Sequence, residues 1–231
     1  MGKTGSMRNT HQRGIAIGPI LFVVAILAVL ASAIAAGSGS FNGDTSVVKA
    51  KAQATAILEY AHEVKFAVDR VLGKGCTDTE ISFENPVVGG YINPNSPSDK
   101  SCHVFDVNGG GIVWKGPPAQ IDLSSVPLGY RNYIFSGDSN HLGPYIPGTT
   151  STDLVIKLSG LSSNICNEIM NLGGGAGPAV GHVTLDKFTG NYGSWDGRNY
   201  QFGCSNLTVP NDGTAGLPLG LHHFHYVLHR R

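Results

Sequence analysis

From Ile15 to Ala36 the chain runs IAIGPILFVVAILAVLASAIAA, with no charge and with Ser32 as its single polar side chain. A run of that length and composition matches a helix crossing the hydrocarbon core of a bilayer, and it exceeds the usual length of a buried core helix. Residues 1–14 carry Lys3, Arg8 and Arg13 and no carboxylate, and the first acidic residue of the chain is Asp44. The positive-inside rule therefore keeps the amino terminus in the cytoplasm and exports the chain beyond Ala36. Pro19 lacks the N–H that would bond back to Ile15 and disfavours a helical Gly18, so the helix is expected to open near Gly18 or Pro19. From Pro19 to Ala36 it would span about 27 Å, close to one hydrocarbon thickness.

Gly37-Ser38-Gly39-Ser40 then softens the chain. Helical periodicity resumes with Ile57, Tyr60, Val64, Val68 and Val71 at steps of three and four, while Lys51, Glu59, Glu63, Lys65 and Asp69 lie mainly between them. The spacing predicts an amphipathic helix over Thr45–Leu72, stopped by Gly73 and Gly75, whose apolar stripe needs a sheet to cover it. Beyond Cys76 glycine and proline punctuate short apolar segments. Strands are expected at Ser101–Asp106, Ile112–Lys115, Arg131–Phe135, Leu154–Leu158, Arg198–Phe202 and Phe224–Leu228. A second helix is expected at Ser162–Leu172, because Leu161, Ile165, Ile169 and Leu172 share one face and Gly173 follows; it would turn Cys166 inward.

The four cysteines, Cys76, Cys102, Cys166 and Cys204, all lie beyond the export segment, and no two form a C-x-x-C pair. Two disulfides are the expectation, and zinc-ribbon or thioredoxin-type chemistry is disfavoured. Three connectivities are possible. Cys76 with Cys102 and Cys166 with Cys204 close the shorter loops and are the expected pairs, each worth about 3 to 4 kcal/mol in the chain-entropy model.

Sixteen basic and sixteen acidic residues cancel, so no overall field draws in nucleic acid, and Lys115, Arg131, Lys187 and Arg198 do not cluster in sequence. The most chemically suggestive stretch is Leu221–His229. In a strand His223, His225 and His229 share one face and could bind zinc or copper, although no carboxylate or cysteine completes a tetrahedral set by spacing. The alternative is a core strand, with Phe224, Tyr226 and Leu228 inward and a solvated histidine face. Asp106-Val107-Asn108-Gly109-Gly110-Gly111 has oxygen ligands beside glycines but reads as a turn, and Gly37–Ser40 lacks the spacing of a nucleophile elbow. No nucleophile and base stand at a recognisable spacing. An enzyme is not expected, nor a cofactor or metal.

A short basic leader ending in Arg13-Gly14, an uncharged run opening at Ile15, a continuing amphipathic helix and a cysteine-bearing β head together resemble type IV pilins and the pseudopilins of type II secretion. The resemblance covers residues 7–72 in layout and the head only in general architecture. It implies cleavage between Gly14 and Ile15 by a prepilin peptidase, with Met7 a plausible start. It also implies insertion in a bacterial inner membrane with the head in the periplasm, and assembly into a surface filament or pseudopilus through the apolar helix. Along that helix Pro19, Phe22, Ala25, Ala28, Ala31 and Ala35 are the expected packing positions, the small side chains letting backbones approach. Two positions depart from the family pattern: Ile15 stands where Phe or Met is usual, and Pro19 stands where major subunits carry Glu. Both point to a minor or atypical subunit.

The expected organisation is therefore a leader at 1–14, a transmembrane and assembly helix at 15–36, a linker and amphipathic helix at 37–72, and an exported head at 73–231. The expected fold class is α+β: a long N-terminal helix, apolar and then amphipathic, packed on an antiparallel β head with one small helix and two disulfides. The competing reading is a secreted or membrane-anchored binding protein cut by signal peptidase near residues 33–36, where Ala31-Ser32-Ala33 and Ala33-Ile34-Ala35 offer small-x-small sites.

Overall fold

The computed structural model describes residues 45–124, 126–137, 153–176, 187–192, 201–206 and 221–230. Helix α1 spans Thr45–Gly73, as the periodicity predicts. Every member of the anticipated stripe is buried: Ile57, Tyr60, Val64, Val68 and Val71, joined by the small residues Ala50, Ala54, Ala61 and Ala67. Each fully buried aliphatic side chain of this kind contributes about 1.5 to 3 kcal/mol relative to exposure. At the carboxyl end the Gly75 N–H bonds the Leu72 carbonyl and the Cys76 N–H bonds the Val71 carbonyl. This paired closure needs a left-handed residue between, and Gly75 supplies it at φ 99°.

The sheet is built from β1 (Ile134–Ser136), β2 (Leu154–Leu161), β3 (Gly175–Ala176), β4 (Phe202–Asn206) and β5 (His222–His229). The order is β1-β2-β5-β4-β3. The first four strands in that order pair antiparallel, and only the two-residue β3 runs parallel to its neighbour. The two longest strands, β2 and β5, sit at the centre and pair along their length, with register shifts between Leu154 and Val155 and between Ser159 and Leu161. Leu154, Ile156 and Leu158 from β2 and Phe224, Tyr226 and Leu228 from β5 enter one hydrophobic core with the stripe of α1. Aromatic rings extend that core: Phe83 stacks on Phe135 at 4.4 Å between centroids, and the Tyr91 hydroxyl accepts the Phe135 N–H at 3.1 Å.

Helix α2 spans Ser163–Asn171, with the Ser162 hydroxyl accepting the Ile165 N–H as its cap. Ile165, Cys166 and Ile169 point inward, whereas Leu172, anticipated on the same face, lies at the exposed C-cap. Both disulfides join the expected partners. Cys76–Cys102 fastens the end of α1 to the following loop, and Cys166–Cys204 fastens α2 to β4.

Two expected strands are absent. Residues 101–106 form turns, and among the described residues their ladder contact is the single Ser82–His103 bridge. Cys102 is tethered there to the helix end, and the His103 carbonyl is taken by the Gly110 N–H rather than by a neighbouring strand. Ile112–Lys115 alternates inward and outward as a strand would, but it lies along α1, where the Tyr60 hydroxyl accepts the Lys115 N–H at 3.1 Å. Alternation reports one buried side, and a helix can provide that side as well as a sheet. Of the segment expected at Arg198–Phe202, residues 198–200 lie outside the described residues, Gln201 is a bend and Phe202 opens β4.

Replacing Cys166 and Cys204 by serine should lower unfolding stability by about 4 kcal/mol, and the Cys76–Cys102 pair by slightly less because its loop is shorter. Chemical denaturation of the two variants checks both values. Gly110→Ala should cost about 1 to 3 kcal/mol, read the same way, because a Cβ there would stand 2.3 Å from the Val104 carbonyl oxygen and 2.9 Å from the Ala67 methyl.

Candidate functional site

The expected assembly helix and its processing point, namely Gly14, Ile15, Pro19, Phe22, Ala25, Ala28, Ala31 and Ala35, lie outside the described residues. Among the described residues no helix is long and apolar enough to cross a membrane. The element that the structure places next in the chain is α1, held on two sides. The sheet covers its apolar stripe. Along a flank the Arg70 guanidinium donates to the Gly110 carbonyl at 2.7 Å, the Lys74 ammonium donates to the Asn108 and Gly109 carbonyls at 2.8 Å, and the Lys115 ammonium pairs with Glu63 at 2.5 Å.

The remaining side of α1 faces solvent through Val48, Ala52, Glu59, His62, Phe66 and Asp69, at steps of three, four or seven residues that keep them on one helix face. Phe66 is 72% exposed, an apolar ring that the fold itself does not use. Lys65 and Asp69 pair at 2.8 Å one turn apart, worth only a few tenths of a kcal/mol at the surface.

The histidine strand differs from the expectation of a solvated imidazole face. His223 and His225 are 0% and 2% exposed, and His229 is partly exposed at the strand end. The alternate face of β5 is thus interior as well, because a central strand of a covered sheet loses water on both sides. Across this face the register sets Lys157 beside His225 and places His223 between Ser159 and Ser205. The Ser159 hydroxyl lies 2.9 Å from the His223 Nδ1. A serine and an imidazole at that distance resemble the start of a hydrolytic pair, but both are fully buried and no substrate carbonyl can reach the hydroxyl while the sheet is closed. Among the described residues no group of three His, Cys, Asp or Glu side chains could hold a metal ion, so His223, His225 and His229 form no such set there.

Asp106–Gly111 is a turn, as expected, with the Asp106 carboxylate accepting the Asn108 N–H and its carbonyl accepting from Gly109 and Gly111. Its glycines serve close packing against α1 and the 103–104 backbone.

A charged cluster that no sequence motif marks surrounds His103: Glu84 stands 3.8 Å from its Nδ1, and Lys100 and Asp106 pair at 4.0 Å beside it. Burial depresses the His103 pKa against the opposing pull of Glu84, and burial also depresses that of His222. Glu84 is brought to His103 by the backbone bridge between Ser82 and His103, with the Ser82 N–H bonding the Cys102 carbonyl and the Val104 N–H bonding the Ser82 carbonyl. No family model, no curated protein and no solved structure matches this chain.

For both imidazoles the unfolded chain binds protons more readily than the folded one. Their contribution to stability is complete above the ordinary histidine pKa of about 6.5 and is lost as pH falls from there through the depressed folded values. Urea midpoints should therefore drop between pH 7 and pH 5, before the carboxylates titrate, and His103→Gln with His222→Gln should flatten that slope.

Proposed function

We propose that the chain is a structural subunit, minor or atypical, of a type IV pilus-like filament or secretion pseudopilus, assembled through its N-terminal apolar helix. The observation that carries this reading is the order of parts: a basic leader, an uncharged membrane-length run, and then α1 laid along an antiparallel sheet in a head closed by two disulfides. A subunit of this kind needs a membrane store for newly made chains, and Ile15–Ala36 has the length and apolarity for it. It needs a head that stays folded outside the cytoplasm, and paired cysteines suit an oxidising compartment. It needs no catalytic residue, and the Ser159–His223 contact is buried beyond the reach of a substrate.

On this reading prepilin peptidase cuts between Gly14 and Ile15, the inner membrane holds the mature chain with its head in the periplasm, and other pilin-like subunits are the partners. Pro19 in place of the usual glutamate removes the carboxylate that would neutralise a neighbour's N-terminal amine, so the chain suits a place where that contact is not made.

Amino-terminal sequencing of the protein recovered from bacterial membranes in the presence of a prepilin peptidase should begin at Ile15, and Gly14→Val should leave the leader attached. A mature start after residue 31 would instead establish a secreted binding protein released by signal peptidase, and an intact methionine would leave a plain anchor.

A further inference from the structure

The turn that closes against the end of α1 carries the dipeptide Asn108-Gly109, and among the described residues Asn108 is the asparagine that a glycine follows. The pair has a chemistry of its own. Once the Gly109 N–H loses its proton, that nitrogen can attack the Asn108 side-chain carbonyl, and glycine has no Cβ to obstruct the approach. Asn108 is exposed, so water and hydroxide reach it. Two hydrogen bonds occupy the reacting groups. The Gly109 N–H donates to the Asp106 carbonyl at 3.0 Å, and the Asn108 side-chain nitrogen donates to the Asp99 carbonyl at 3.1 Å.

The same dipeptide is gripped from α1. The Lys74 ammonium donates to the carbonyls of both Asn108 and Gly109 at 2.8 Å, and the Arg70 guanidinium donates to the next carbonyl, that of Gly110, at 2.7 Å. Inside this clasp the backbone has no room for an added atom. A Cβ on Gly109 would run into the His103 carbonyl, and one on Gly110 would run into the Val104 carbonyl and the Ala67 methyl. Closed, the turn keeps nucleophile and leaving group engaged elsewhere; opened, it releases both.

We propose that Asn108 is a self-modification site, whose side-chain amide condenses with the Gly109 nitrogen when the turn lets go of α1, so that the residue keeps a permanent chemical record of that opening. Hydroxide takes the Gly109 N–H proton, the N–Cγ bond forms, the Cγ–Nδ2 bond breaks, and ammonia leaves with a proton returned from water. Water then opens the cyclic imide. Cleavage of the N–Cγ bond leaves aspartate at 108. Cleavage between the nitrogen and the Asn108 main-chain carbonyl carbon leaves isoaspartate, whose main chain runs through the side chain and is one carbon longer. The longer chain does not fit a turn with no space at Gly109 and Gly110, so the grip of Lys74 and Arg70 is not remade. Opening and closing of a surface turn is fast against this chemistry, so the rate follows the population of the open form. The reaction needs only water and makes no use of the filament reading.

Incubation of the full-length, disulfide-bonded chain in nanodiscs in mildly alkaline buffer, followed by mass-spectrometric peptide mapping across residues 108 and 109, tests the proposal. With two net hydrogen bonds to break first, the native chain should react at least about tenfold more slowly than the same chain unfolded in urea. Lys74→Gln should speed the native reaction about fivefold and leave the rate in urea unchanged. The isolated isoaspartyl form should melt below the unmodified chain. Asn108→Asp, which adds the same charge without the extra carbon, should melt closer to it. Equal rates in native and unfolded chains, a native rate in Lys74→Gln no higher than in the parent, or an isoaspartyl form as stable as the unmodified chain would overturn the assignment.

Discussion

The contact between one face of the sheet and the stripe of α1 is the interaction on which the rest depends. Ile57, Val64, Val68 and Val71 lie with Ala54 and Ala61 against Leu154, Ile156 and Leu158, and all of them are withdrawn from water. The alanines matter as much as the larger side chains, because they let the helix axis come close enough for the aliphatic branches to fill the space between. A polar side chain at Val64 would leave a charge or an amide in a dry seam without partners, a fault that a marginally stable domain cannot absorb.

The disulfides tie two further segments to this core. Cys76–Cys102 holds a turn-rich segment whose own hydrogen bonds are local, such as Gly109 to Asp106 and Lys100 to Pro97. Cys166–Cys204 holds a nine-residue helix that would be marginal alone in water. Helix, sheet and bridges thus divide the work: apolar burial stabilises the centre, and covalent closure limits the unfolded freedom of the loops.

The helices and the disulfide pairs were legible from sequence because each rests on a short-range rule. The 3.6-residue repeat of Ile57, Val64, Val68 and Val71, the Ser162 cap and the shorter cysteine loops are all visible within one segment. The failures came where the partner of a segment is remote. Ile112 and Trp114 alternate like strand residues yet lean on a helix, and His223 and His225 read as a wet face although the sheet is covered on both sides. Nor does any motif join Lys74 to Asn108, or Glu84 to His103, since only the folded chain brings these residues to one place.

Fastening the far end of α1 has a mechanical consequence. The bridge ties the last turn to residue 102, and Arg70 and Lys74 grip the carbonyls of the adjoining turn. A pull applied at the helix's amino end cannot draw it lengthwise from its groove without dragging that whole covalent loop along. The seam is then loaded in shear, many side chains yielding together, instead of peeling one turn at a time. Resistance of that sort is governed by the rate of rupture under tension rather than by equilibrium stability.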